Sequence, residues 1–196
     1  VFQPKLAIAS CRVDGVEALV RWHHPERGIL MPGDFLGTIE NTELIGPLTW
    51  SVLDLALHHV AAWRRDGIEL TVAINVSART VSDPSLIEHV RHALQRHHVP
   101  GKYLELEITE RAVLDDLPRA RETLHQLQNM GVTLAVDDFG TGYASLNHLA
   151  ALPLDVLKVD RVYVQKMFSD PTAAAVVRFA VDLARRAKAN HSYVQA

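Results

Sequence analysis

The chain is predicted to be an α/β barrel of the TIM-like (β/α)8 kind, and two observations point there. Extended and helical stretches alternate along its 196 residues, which calls for parallel strands joined by helical crossovers. Each extended stretch is also aliphatic on one face and small or polar on the other. An open doubly wound sheet is covered by helices on both faces and should be apolar on both. A barrel ringed by helices, with polar side chains converging at its mouth, accounts for the asymmetry.

Extended segments are predicted at 2–8, 13–22, 70–77, 103–110, 133–138 and 156–160, with helices at 32–42, 47–65, 84–97, 116–130 and 172–187. In the second helix Leu53, Leu57, Val60 and Trp63 recur at three- and four-residue steps, and Gly67 follows as its stop. Asp83-Pro84 reads as an N-cap followed by proline at the first helical position. Strand parity then sorts the faces. Val72, Ile74 and Val76 oppose Thr71, Ala73, Asn75 and Ser77; Leu104, Leu106 and Ile108 oppose Glu105, Glu107 and Thr109. Leu134 and Val136 oppose Thr133, Ala135 and Asp137, and Leu157 and Val159 oppose Val156, Lys158 and Asp160. No low-complexity linker or short-period repeat interrupts the pattern, so residues 1–196 are expected to form a single domain.

Composition narrows the function classes. Hydrophobic residues make up 48% and charged residues 22%, ordinary values for a globular protein. A net charge of -3 gives no electrostatic footprint for DNA, RNA or an anionic membrane. Cys11 is the only cysteine, which excludes an internal disulfide and suits a reducing compartment. No run approaches the ~18 unbroken apolar residues of a membrane span, and VFQPKLAIAS lacks the charged-then-apolar order of a signal peptide. The expectation is a cytoplasmic enzyme or binding domain without direct membrane contact.

At the C-terminal strand ends of such a barrel, parity brings Glu17, Arg21, Asn75, Glu107, Asp137 and Lys158 inward, with Asp138 at the tip of its strand. Asp137 and Asp138 pose a physical question. Adjacent carboxylates at the end of an aliphatic run repel one another unless they are solvated or share a cation. Oxygen donors without cysteine or paired histidine select Mg²⁺ or Mn²⁺ over zinc. Two such ions bridged by carboxylates suit in-line displacement at phosphorus, and a lysine and an arginine beside them suit phosphate oxygens. A lone strand-end aspartate is commonly a turn-former; six polar groups in register are harder to dismiss.

Other features have plainer explanations. Glu105 shares the parity of Glu107 and is taken as structural. The pairs His23-His24, His58-His59 and His97-His98 are neighbours that point apart on a strand or by roughly 100° on a helix, which makes poor bidentate ligands. Trp50 and Trp63 read as core anchors, and Gly140 and Gly142 as a loop hinge rather than a phosphate cradle.

EALVRWHHPERG (17–28), INVSART (74–80), LELEITE (104–110), DDFGTGYASL (137–146) and LKVDR (157–161) together resemble the EAL family of cyclic di-GMP phosphodiesterases, in the family's order and over nearly all of residues 1–183. The resemblance implies a barrel whose first strand runs antiparallel to the rest. It also implies hydrolysis of cyclic di-GMP to linear pGpG with two Mg²⁺ or Mn²⁺ ions, Ca²⁺ being inhibitory. By the same resemblance Glu17, Asn75, Glu107 and Asp137 match the ligands of one metal, and Asp137 and Asp138 those at the second. Lys158 matches the lysine near the attacking water, with Asp160 following it on the same face. Gln3 and Arg21 resemble nucleotide-contacting residues. Glu110 matches a glutamate that steadies loop 139–146, near which the family's homodimer contact lies.

One part of the pattern departs. After the helix at 172–186 the family continues with a seventh strand ending in an AEGVE-like motif, but DLARR (182–186) runs directly into AKANHSYVQA (187–196). The barrel is therefore expected to be incomplete at its seventh βα unit, with a missing segment near 183–190. HSYVQ resembles the stretch that ends at a nucleotide-contacting glutamine, which would be Gln195. An active phosphodiesterase, a receptor that binds cyclic di-GMP without cleaving it and an interaction module all remain open. A sensory or GGDEF domain upstream is common in the family.

Overall fold

The computed structural model describes residues 1–110, 117–141 and 152–186. The chain opens with a hairpin, β1 (Phe2–Ala7) and β2 (Arg12–Ala18), paired antiparallel with Gln3 opposite Glu17 and Lys5 opposite Gly15. A two-stranded excursion follows, β3 (Trp22–His24) and β4 (Gly28–Leu30), then helices α1 (Pro32–Ile39) and α2 (Ile45–Arg65). After β5 (Thr71–Val76) come the short α3 (Ala78–Val81) and α4 (Ser85–His97). A 3-10 turn, Gly101–Tyr103, leads into β6 (Leu104–Thr109), and α5 (Leu117–Asn129) into β7 (Thr133–Phe139). The last described elements are β8 (Val156–Val159), α6 (Arg161–Lys166) and α7 (Pro171–Arg186).

Among the described residues the main sheet has six strands in the order β1-β2-β5-β6-β7-β8. From β2 onward every neighbouring pair is parallel, and only β1 runs against them. This is the expected architecture, a mixed α/β barrel wall led by an antiparallel strand. The parallel register places Glu17 beside Ala73, Asn75 beside Glu107, and Glu107 beside Ala135. Residues at matching heights on neighbouring strands point the same way, so one polar face continues across the strands.

The aliphatic faces meet the helices. Val72, Ile74, Leu104, Leu106, Ile108, Leu134 and Val136 are buried with Leu53, Leu57, Val60, Leu86, Val90, Leu124 and Leu127 of α2, α4 and α5 in one core. Burying a branched aliphatic side chain contributes about 1.5–3 kcal/mol, so this outer layer fixes the register that presents the polar face inward.

The boundaries carry the differences from expectation. The stretch 13–22 is not one strand: β2 stops at Ala18, where its pairing with β5 ends at Ile74. Trp22–His24 then pairs with Gly28–Leu30 through a turn in which Gly28 adopts φ +72° and the His24 ring nitrogen accepts two backbone N–H groups. Helix α4 begins at Ser85, one residue later than expected, although the Asp83 carboxylate still accepts the Ser85 N–H at 2.8 Å. Gly67 does follow α2, at φ +77°. Trp50 and Trp63 both pack against the core, Trp50 stacked on His89 and Trp63 edge-on to Phe2.

Candidate active site

Lys158, near the end of β8, stands at the focus of three carboxylates. Its Nζ lies 2.6 Å from Glu107 Oε2, 2.8 Å from Asp137 Oδ2 and 3.8 Å from Glu17 Oε2. Asn75 completes the ring by donating its amide to Glu17 Oε1 at 2.8 Å. Four strands, β2, β5, β6 and β7, thus each supply one group around the lysine of β8, all from the inward face that parity selects.

Asp137 and Asp138 owe their arrangement to a break in the sheet. The pairing of β7 with β8 shifts register between Val136 and Phe139, and within that bulge Asp138 takes φ +56°. A regular strand sends adjacent side chains to opposite faces; a bulge with a left-handed residue re-aims one of them. The Asp137 carboxylate accepts the Asp138 N–H at 2.9 Å, which holds the turn.

The charge balance is strained. Glu107 is 1% exposed, and burial pushes its carboxyl up to about 8 against the pull of the Lys158 ammonium, with Glu17 and Asp137 adding repulsion. Asp138 is raised by burial, then by Asp137 and Asp160. Burial opposes the charge on Lys158, yet Glu107 and Asp137 outweigh it and hold the ammonium above its ordinary range.

Among the described residues no three acidic, histidine or cysteine side chains already stand at metal-ligand spacing. The donor set nonetheless fits a divalent cation. Oxygen donors surround the site, three carboxylates face one ammonium, and Glu107 Oε1 is buried with no hydrogen-bond partner. An orphaned carboxylate oxygen in such surroundings is costly unless a cation meets it.

The remaining candidates fall into three groups. Gln3 lies opposite Glu17 in the ladder, on the same face. Asp160 caps α6 by accepting the Val162 N–H at 2.7 Å, and Glu110, buried at the end of β6, accepts the Gly140 N–H at 3.4 Å. Arg21 departs from expectation: it lies beyond β2, so strand parity does not aim it, and its guanidinium donates to its neighbour Val20 O at 2.7 Å. Gln195, Gly142 and the proposed break after Arg186 lie outside the described residues.

Two features escaped the sequence reading. A cavity of about 350 Å³ opens beside Asn75 and Glu107, with Leu19, Val20, Leu36 and Leu48 on its apolar wall. Lower in the barrel, Lys5 Nζ meets Glu105 Oε1 at 2.7 Å, both buried. Glu105 is thus structural, as expected, and its partner is a lysine on the same face as Gln3.

The EAL domain pattern matches residues 1–191. The chain is 40% identical over 185 residues to the bifunctional diguanylate cyclase/cyclic di-GMP phosphodiesterase MucR of Pseudomonas aeruginosa, covering 94% of this chain and 27% of that protein. It is 37% identical over 185 residues to the cyclic di-GMP phosphodiesterase PdeR of Escherichia coli, covering 94% of this chain and 28% of that one. The chain thus spans little more than a quarter of the length of these curated relatives. The structure of the PaMucR phosphodiesterase in its c-di-GMP complex superposes with a TM-score of 0.90 at 39% identity, over 95% of this chain and 76% of that one. With the strand order, the antiparallel first strand and the carboxylate ring already in place, the chain belongs to the EAL domain family.

Proposed function

We propose that this domain hydrolyses one phosphodiester of cyclic di-GMP to give linear pGpG, as a cytoplasmic second-messenger enzyme. The observation that carries the proposal is the convergence of Glu17, Asn75, Glu107, Asp137 and Lys158 on one point beside an apolar cavity. The likeness to MucR and PdeR, both named cyclic di-GMP phosphodiesterases, supplies the substrate. Hydrolysis adds water across a P–O bond: an oxygen–phosphorus bond forms, the bond to the ribose oxygen breaks, and that oxygen leaves with a proton.

Glu17, Asn75, Glu107 and Asp137 would hold one divalent cation, and Asp137 with Asp138 a second, Mg²⁺ and Mn²⁺ suiting oxygen donors. When bound, such ions supply an activated water and neutralise phosphate charge. The residues of the chain do the rest. Lys158, kept protonated by Glu107 and Asp137, presents positive charge to the water and to the charge developing on phosphorus. Gln3 and Asp160 address the nucleotide, and Arg21 a phosphate once it gives up the Val20 carbonyl. The apolar wall of the cavity takes the flat face of a base and keeps bulk water out. Glu110 acts at one remove, on the backbone at Gly140.

Incubation with cyclic di-GMP and Mn²⁺ or Mg²⁺, followed by chromatography, tests the proposal: pGpG should appear, and should vanish with chelator or with Ca²⁺ alone. Binding of cyclic di-GMP with no pGpG under any of these ions would make the domain a receptor. The expected homodimer, through the region near 139–146, belongs to the same proposal and is read by the sedimentation of the domain.

A further inference from the structure

We infer that Tyr163 is a positioning residue for the aspartate pair, setting the domain's affinity for divalent metal through a hydroxyl that touches neither metal nor substrate. The inference rests on the metal-dependent function proposed above. Three consecutive residues, Asp138, Phe139 and Gly140, link the carboxylates to the loop that follows, and two of them have left-handed backbone, at φ +56° and φ +102°. Left-handed backbone is uncommon for a residue with a side chain, aspartate being among those that adopt it where a local hydrogen bond helps, and here the Asp137 carboxylate accepts the Asp138 N–H.

Two hydrogen bonds grip Gly140 from opposite sides. Its N–H donates to Glu110 at the end of β6, and its carbonyl accepts the Tyr163 hydroxyl at 2.7 Å, the shorter of the two contacts. The grip is also steric, since a Cβ on Gly140 would come within 2.9 Å of the Tyr163 ring and 3.0 Å of Val176. Tyr163 belongs to α6, whose cap Asp160 lies two residues after Lys158. One short segment, residues 158–163, therefore touches the end of β7 and the residue after it: Lys158 on Asp137 at 2.8 Å and Tyr163 on Gly140 at 2.7 Å. Asp138 is held between these two anchors, and its aim follows from both.

The test compares Tyr163→Phe with the wild-type domain, since this change removes only the hydroxyl and keeps the ring against Gly140. Mn²⁺ binding without nucleotide, measured by electron paramagnetic resonance, should weaken about three- to tenfold. The Mn²⁺ concentration for half-maximal pGpG formation should rise by the same factor, and saturating Mn²⁺ should restore kcat to within about twofold. Cyclic di-GMP affinity in Ca²⁺ should stay within about twofold. Gly140→Ala, which drives a Cβ into the same ring, should weaken Mn²⁺ binding in the same way. A residue of merely structural importance would reduce the folded fraction without moving the metal constant of what remains folded. An unchanged Mn²⁺ constant in Tyr163→Phe overturns the inference. If the wild-type domain binds Mn²⁺ but forms no pGpG, the proposed catalysis fails while the Mn²⁺ comparison still decides the role of Tyr163. A wild-type domain that binds no Mn²⁺ overturns both.

Discussion

Lys158 bonds one oxygen of Glu107 at 2.6 Å, while the other oxygen of the same carboxylate is buried without a partner. One cation has thus been brought to a site that has room in its chemistry for more. The ammonium offsets part of the repulsion among Glu17, Glu107 and Asp137 when no metal is bound, and it touches the oxygens that a divalent ion would need. The paired aspartates at a strand end are thus met in two ways, by a built-in lysine on Asp137 and by a donor set suited to added metal.

Competition for the same oxygens gives a split prediction for Lys158→Met. Removing the ammonium should strengthen Mn²⁺ binding by about threefold or more, because an interior charge close to the metal is lost. Turnover should nevertheless fall at least about a hundredfold, since nothing replaces the cation near the attacked phosphorus. Calorimetric titration with Mn²⁺ beside single-turnover kinetics checks both halves. Weaker metal binding in the variant would show that the hold of Lys158 on Asp137 outweighs its competition for the oxygens.

Most of this site was legible from strand parity. Glu17, Asn75 and Glu107 sit at inward positions because β2, β5 and β6 stay in register, and Asp137 and Lys158 keep the same parity although β7 and β8 shift against each other there. Asp138 could not be placed that way, because its direction depends on a bulge and a left-handed φ that period-two counting does not register. Arg21 was assigned by the same counting carried past the true end of β2. The β3–β4 hairpin, α3 and α6 are three to six residues long, too short to show a period; the serine and aspartate caps of α3 and α6 were the available signals. Lys5 was missed because its partner lies a hundred residues away, across an interior that only the curl of the sheet closes.

Glu110 should act through its acceptor oxygen. It is 3% exposed, and the Gly140 N–H points at it. Glu110→Ala leaves that donor without this acceptor, a loss of about 1–3 kcal/mol, and should also weaken Mn²⁺ binding. Glu110→Gln keeps an acceptor oxygen and should retain at least about half of the lost stability and metal affinity. Denaturant unfolding with and without Mn²⁺ separates the two effects. Identical behaviour of the Ala and Gln variants would rule out the hydrogen-bond role.

On the outside of the barrel, Asp54 of α2 receives hydrogen bonds from His97 at 2.9 Å and Arg96 at 2.8 Å on α4. The bond from His97 leads in holding its carboxyl below the usual range. A depressed carboxylate stabilises the fold above its unfolded-state value near ~3.9, and that contribution disappears as pH falls through the lower folded-state value. Asp54→Asn should therefore cost stability at pH 7 and nothing at pH 2. The side chain is 43% exposed, so screening keeps the difference to about 1 kcal/mol or less. Urea unfolding at the two pH values checks it, and a deficit that persists at pH 2 would assign the effect to packing.

The buried ion pair outside the active site should show a large mutational effect on stability. Lys5 and Glu105 are 8% and 4% exposed and meet at 2.7 Å, joining β1 to β6 across the barrel interior with two strands between them in the sheet order. A buried pair is broken at a cost of about 3–5 kcal/mol when one partner is removed, because the other is left charged and unsolvated. Lys5→Met should therefore destabilise strongly, and Glu105→Leu likewise. Replacing both removes the two desolvation penalties together, so the double variant should recover most of the loss. Gly15 leaves room for the pair: an added Cβ there would stand 3.0 Å from Lys5 Cε, so Gly15→Ala should disturb the same contact. Denaturant unfolding of the four proteins closes the cycle. Additive losses in the double variant would mean that the two side chains contribute separately, and that the contact across the interior does not hold β1 to the barrel.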